Sequence, residues 1–262
     1  MQFFDSHAHY WDDRFQNETE KGVDALLDTL FRENVCAVVN VGTSIDTSLA
    51  AIAQAVQYPN MYVAAGIHPG DCETLALDDT MIALRALLEN PQNKIKALGE
   101  IGLDYHYLPF DKDKQKAFFH AQMELAREID LPVVIHDREA HGDCFETVLA
   151  HPDVHGVFHS YSGSAEMAKE LVKRDYMISF SGTVSFKNAR VIKEVAKILP
   201  KDKVMIETDA PYLTPHPHRG KMNHSGYLTY TCAALSELWD MPCEEVARIT
   251  AQNAARFFDV KI

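Results

Sequence analysis

Val35-Cys36-Ala37-Val38-Val39-Asn40-Val41-Gly42 is a nearly unbroken apolar run of strand length, ending in a glycine. A strand with one wet face alternates apolar and polar residues. A run like this one is the mark of a parallel strand covered on both faces. Upstream, Val23, Leu26, Leu27, Leu30 and Phe31 recur at helical spacing across Gly22 to Asn34, behind an acidic loop. Downstream, Thr43 to Gln57 reads as a helix capped by Ser44 or Thr43. The unit is therefore strand–helix, and it repeats.

Earlier in the chain the first strand runs up to Asp5-Ser6-His7-Ala8-His9. Later strands are expected at Met61 to Ile67, Lys96 to Gly102, Pro132 to His136, Gly156 to His159, Tyr176 to Ser181 and Lys203 to Thr208. Between and after them, helices are expected at Asp78 to Glu89, Lys112 to Ile129, Cys144 to Ala150, Ala165 to Arg174, Ala189 to Ile198, Tyr227 to Trp239 and Cys243 to Phe257. Eight such units without a linker or low-complexity break predict a closed (β/α)8 TIM barrel, an α/β fold, over residues 1–262 as one domain. A doubly wound open sheet is the competitor, and it usually has fewer strands.

Composition narrows the function. Of 262 residues 47% are hydrophobic and 24% charged, ordinary for a globular chain. No apolar run approaches the ~20 residues that span a bilayer, so no membrane association is expected. The start of the sequence has no basic segment followed by an apolar one, which leaves the cytoplasm as the expected compartment. Five cysteines, an odd number with no C-x-x-C pair, argue for reduced thiols over a disulfide framework or a cysteine-only zinc site. A net charge of −13 argues against broad, non-specific wrapping of nucleic acid. It leaves room for a site that holds one phosphate, because bound cations invert the local field.

The 13 histidines raise the question of metal. On a strand, His7 and His9 point to the same side, where two imidazoles can grip one Zn, Mn, Fe or Ni ion. Further polar residues end later strands: His68, Glu100, His136, His159 and Asp209. In an α/β barrel these ends share one mouth, where reactive groups gather. Any one histidine there is readily explained by ordinary hydrogen bonding; so many together point to a metal site. Glu100 sits in Gly99-Glu100-Ile101-Gly102, with no side chain beside it expected to shield its carboxylate.

The motifs Asp5-Ser6-His7-Ala8-His9, Gly66-Ile67-His68-Pro69, Gly99-Glu100-Ile101-Gly102-Leu103-Asp104, His136-Asp137-Arg138-Glu139-Ala140, His159-Ser160-Tyr161-Ser162-Gly163 and Glu207-Thr208-Asp209-Ala210-Pro211 stand in order along the chain. Together they resemble the TatD family of metal-dependent hydrolases, a branch of the amidohydrolase-like barrels. Phe180-Ser181-Gly182 and His218-Arg219-Gly220-Lys221 extend the likeness. The resemblance implies two divalent ions per chain: His7, His9 and Asp209 on one, His136 and His159 on the other, and Glu100 bridging them. A carboxylate bridge fits this branch, since relatives in the wider group often use a carbamylated lysine. Asp209 is the expected general base and His68 is expected to orient substrate or stabilise charge. Ligand softness favours Zn or Mn, whereas the family is usually described as Mg-dependent.

For a phosphodiester substrate, Arg138, Arg219 and Lys221 are the candidate phosphate partners, with Lys221 equally readable as a surface charge. Tyr105, Tyr161 and Phe186 lie on loops where a base could stack, and two of the three are expected to be simply packed. Two departures from the family pattern bear on substrate choice. Asn223-His224-Ser225 stands where Asn-Glu-Pro is usual, and Asp137 replaces a serine, placing a negative charge near the second ion. The leading expectation is a 3′→5′ exodeoxyribonuclease with nucleic acid as substrate, DNA ends or single strands, and no stable protein partner. The alternative is an ester or amide hydrolase, such as a D-aminoacyl-tRNA deacylase or small-molecule amidohydrolase. A non-enzymatic metal-binding barrel is a third reading, which the full set of ligands argues against.

Overall fold

Val38, Val39, Asn40 and Val41 pair in parallel with Met61, Tyr62, Val63 and Ala64, so the apolar run is an inner strand of a parallel sheet. In the computed structural model, which describes residues 1–19 and 22–262, eight strands lie in chain order around that sheet. They are β1 Phe3–Ala8, β2 Val35–Val41, β3 Met61–Ala65, β4 Ile95–Asp104, β5 Val133–Arg138, β6 Gly156–Phe158, β7 Met177–Phe180 and β8 Val204–Ile206. A parallel bridge between Ala8, the last residue of β1, and Ala210, beyond β8, joins the two edges. The chain is the expected (β/α)8 barrel.

Helices α1 Asp13–Glu18 and α2 Gly22–Glu33 follow β1, and α3 Ile45–Ala55, α4 Leu77–Leu88 and α5 Lys112–Ile129 follow β2, β3 and β4. Then come α6 His141–Ala150, α7 Ala165–Lys173 and α8 Arg190–Ile198, with α9 Leu228–Trp239 and α10 Cys243–Phe257 after β8. A buried cluster takes side chains from all eight strands: Phe4, Val39, Ala64, Ala97, Val134, Val157, Met177 and Met205. Only the barrel interior can bring all eight together. Phe258, just past α10, stacks on Phe4 at 5.9 Å and joins this cluster at the end where the strands begin. The other face of the strands meets the helices in a larger apolar layer. With the floor packed, the opposite end is left for chemistry.

The structure departs from the sequence reading in places. The expected acidic loop carries α1, begun by Asp12, whose side chain accepts from Arg14 N–H, and pinned by buried Phe15 against Tyr10. Glu20 and Lys21 of that loop lie outside the described residues. Of the two candidate caps, Ser44 is the one that closes a capping box with Thr47. Strands β4 and β5 run further than expected because Gly102, Leu103 and Asp104 pair with His136, Asp137 and Arg138. Gly102 makes that closeness possible: at φ 135°, an added Cβ would lie 2.0 Å from the His136 carbonyl oxygen. All five cysteines are free, and among the described residues no helix is long and apolar enough to cross a membrane.

Candidate metal centre

Glu100 is where two halves of a donor cluster meet. Between β4 and β5 the register steps from Gly99↔Val134 to Ile101↔Ile135, so Glu100 is the extra residue of a bulge. A bulge re-aims its side chain, and here the Glu100 N–H leaves the β5 ladder to bond the Gly42 carbonyl at 3.2 Å. The carboxylate is not open, contrary to the expectation from its glycine neighbours. At 3% exposure it lies sunk among imidazoles that the glycines themselves could not supply. Its Oε1 is 2.8 Å from both His136 Nδ1 and His159 Nε2. Its Oε2 is 3.5 Å from His7 Nε2 and 3.8 Å from His9 Nε2.

Asp209 completes the β1 side. Its Oδ1 lies 3.3 Å from His9 Nε2 and 3.7 Å from His7 Nε2. The residue holds a left-handed backbone, φ 57°, a region that aspartate tolerates better than most residues. Its N–H bonds the His7 carbonyl at 2.9 Å, tying the end of β8 to the end of β1.

For three of the four imidazoles the far side of the ring decides which nitrogen faces the centre, while His7 Nδ1 is buried without a partner. His9 Nδ1 donates to the Val41 carbonyl at 2.7 Å, His136 Nε2 donates to Asp104 at 3.0 Å and His159 Nδ1 donates to Glu207 at 3.2 Å. Each outer acceptor retains the outer proton and leaves the inner nitrogen to supply a lone pair. His68 is set the opposite way. Its Nδ1 accepts the Gly70 N–H at 3.0 Å, so the proton of the neutral ring sits on Nε2, 3.8 Å from Glu100. His68 is a donor toward the centre.

Charge in the cluster follows from these contacts. Burial alone would neutralise Glu100, but the fields of His159 and His68 and hydrogen bonds from His136 and His159 hold it well below the carboxylate range. Asp209, also penalised by burial, is lowered by His9, His159 and His7. Burial works against protonated His9, His136 and His159 as well, yet neighbouring carboxylates raise all three. His68 goes the other way, pushed down to about 3 by loss of water around the ring and by His136, so it is neutral near pH 7.

The donor set fits divalent cations. His7 Nε2 faces His9 Nε2 at 3.1 Å, and His136 Nδ1 faces His159 Nε2 at 3.2 Å. Two imidazole nitrogens that close can share one proton at most, and the arrangement is relieved by a cation that takes both lone pairs. Three overlapping groups have donor atoms within 4.8 Å of one another: His7, His159 and Asp209; His7, His9 and Glu100; His68, Glu100 and His136.

The seven residues from strand ends thus come together, whereas the three basic candidates stand apart. Among the described residues no side-chain hydrogen bond or ion pair joins Arg138, Arg219 or Lys221 to the cluster. Arg138 packs over the Tyr107 ring at 4.7 Å, Arg219 is exposed over Phe186 at 4.2 Å, and Lys221 is exposed. Tyr161 is buried with its hydroxyl on the Ser164 carbonyl, and Tyr105 stacks on Phe110 and bonds Asp143, so of the three stacking candidates Phe186 alone lies free of such bonds.

Asp137 does not bring its charge to the His136–His159 side of the cluster. Strand alternation turns it away from His136, and it bonds His141 at 2.8 Å. The carboxylates that do reach the histidines are Asp104 and Glu207, to which sequence reasoning gave no role. Spacing held a signal for both: Asp104 shares strand parity with Glu100, and Glu207 stands two residues before Asp209.

Comparison with known proteins agrees with this architecture. A family model described as TatD related DNase matches residues 4–259. The chain is 40% identical over 261 residues to YabD of Bacillus subtilis strain 168, described as an uncharacterized metal-dependent hydrolase, covering 98% of this chain and 99% of YabD. It is 34% identical to the similarly described TatD of Mycobacterium tuberculosis, covering 97% of each. Among solved structures, YJJV, a TatD homolog from Escherichia coli K12, superposes with a TM-score of 0.91 at 29% identity, covering 99% of this chain and 98% of that one.

Proposed function

The chain belongs to the TatD-related DNase family of metal-dependent hydrolases, and we propose that it is a 3′→5′ exodeoxyribonuclease acting on DNA ends or single strands with two divalent cations. One observation carries this reading: Glu100 turns Oε1 to the His136–His159 pair and Oε2 to the His7–His9 pair. A carboxylate shared between two imidazole pairs suits a two-ion site, with one oxygen toward each pair. His7, His9 and Asp209 would hold one ion, His136 and His159 the other, with Glu100 between them. Four nitrogens and two carboxylates suit Zn or Mn by softness, with Mg the oxygen-preferring alternative. When bound, the ions supply Lewis-acid activation of water and of the phosphoryl group.

The chain's own groups do the rest. Asp209, ionised and 14% exposed at the mouth, accepts the proton of the attacking water. His68, neutral and 20% exposed, presents its Nε2 proton to an oxygen on which charge develops. Arg138 and Arg219, each laid over an aromatic ring, would receive phosphates of the flanking strand, with exposed Lys221 as a third contact.

The test is a nuclease assay on protein reconstituted with Mg, Mn or Zn, using 3′-labelled and 5′-labelled single strands beside Glu100→Ala. Stepwise shortening from the 3′ end, lost in the variant, is the expected result. Cleavage of esters or D-aminoacyl-tRNA with no action on any oligonucleotide would overturn the nuclease assignment in favour of acyl hydrolysis.

A further inference from the structure

Beside the donor cluster, between the turn after β3 and the loop after β4, lies a small cavity of about 160 Å³ that opens to solvent. His68 of the centre lines it, and so does Asp104, which bonds the outer nitrogen of His136, so the cavity adjoins the donor cluster. Its outer lining includes Leu108 and Tyr107, 81% and 67% exposed, an unusual display of large apolar groups. Glu73 and Asp111, also lining, are exposed carboxylates. Asp111 uses one oxygen to cap α5, and the Lys114 ammonium is bonded to the Glu73 carbonyl oxygen.

We propose that this cavity receives the base of the nucleotide bonded to the scissile phosphate and makes the enzyme sensitive to that base. The inference rests on the nuclease reading above. Asp104, Glu73 and Asp111 make the cavity hostile to a phosphate, so the strand's charge must lie elsewhere. The exposed carboxylates of Glu73 and Asp111 are acceptors for the exocyclic amino groups of adenine, cytosine and guanine. Leu108 and Tyr107 offer apolar surface to a flat ring. Arg138 lies against Tyr107, its Nη1 3.1 Å from the phenol oxygen, so a phosphate partner stands next to the base site but outside it. Base and phosphate thus have neighbouring places of opposite electrostatic character.

The test uses the metal-loaded enzyme and single strands that end in dA, dC, dG, dT or an abasic residue. Wild type is expected to lose roughly ten-fold or more in kcat/KM on the abasic end, the scale of a lost base contact. In a Tyr107→Ala, Leu108→Ala double variant that ratio should shrink to about two-fold. Glu73→Gln, an exposed and conservative change that does not threaten folding, should flatten any preference for amino-bearing bases over dT. Equal rates on base and abasic ends would overturn the subsite while leaving the nuclease intact. A preference for bases that both variants retain would also overturn it, placing recognition elsewhere. No cleavage of any oligonucleotide would sink the nuclease reading and the subsite together.

Discussion

Asp104 Oδ2 lies 3.0 Å from His136 Nε2, on the side of the ring turned away from Glu100. The carboxylate is held well ionised: burial opposes this, but the His136 bond and the His106 N–H lower its pKa to about 2. It therefore fixes the proton on Nε2 and raises the basicity of Nδ1, the nitrogen that faces the centre. Asp104→Asn should leave the fold intact and weaken metal binding by about 10–100-fold. Equilibrium dialysis with metal analysis reads this directly, and an unchanged affinity would show that Asp104 does not support His136.

His68 has the opposite proton placement, and the two roles open to it separate cleanly. As a donor its replacement in His68→Gln should keep the full metal content while kcat falls by about 10²–10³. Metal stoichiometry and turnover are measured on the same preparation. Loss of a metal equivalent would make His68 a ligand.

The raised pKa values of His9, His136 and His159 set the pH dependence of loading. Without metal these rings hold protons above the ordinary imidazole range, and a bound ion needs the inner nitrogens bare. Metal uptake should therefore release protons and weaken as pH falls. Calorimetry in buffers of different ionisation enthalpy should find more release at about pH 6.5 than at about pH 8.5. Stability of the metal-free protein follows the same sign: what these rings contribute is present in acid and lost as pH rises through their raised values. What Glu100, Asp104 and Asp209 contribute, with lowered values, is present above the carboxylate range and lost as pH falls through them. Metal should restore the melting temperature most at the alkaline end, and a chelator titration across pH checks it.

Ser225 stands where the family pattern has proline, and its hydroxyl is put to use. It donates to Asp5 Oδ2 at 2.6 Å and meets the Tyr10 hydroxyl at 2.7 Å, all three residues being buried. Asp5 also accepts from the Thr208 N–H and hydroxyl, which ties β1 to the segment carrying Asp209. Ser225→Ala removes one donor from a buried carboxyl and should cost about 1–3 kcal/mol. Thermal unfolding would register this as a drop of several degrees, and an unchanged Tm would mean the Asp5 network does not depend on the serine.

Much of this molecule could be read before folding. Parallel strands buried on both faces leave apolar runs such as Val35 to Val41, and ligands at strand ends interrupt them with histidine or carboxylate. Long-range register could not be read. That Asp104 rather than Asp137 reaches His136 depends on how β4 pairs with β5 and on a bulge at Glu100. Helix α1 escaped notice because an Asp12 cap and the burial of Phe15 hold it, and six residues are too few to show a period. Arg138, Arg219 and Lys221 mark the limit of composition: a basic residue near a mouth carries no signature of what it touches.

The bonds His9 N–H to Ala210 O, 2.7 Å, and Asp209 N–H to His7 O stitch the start of the sequence to a segment some two hundred residues later. The β1 side of the metal centre straddles that seam. A chain still emerging from synthesis can bring β1 to β7 together, yet Asp209 cannot reach His7 and His9 until β8 arrives. Completion of the β1 side of the cluster is then among the last events of folding, and it is the same event that joins the two ends of the ring.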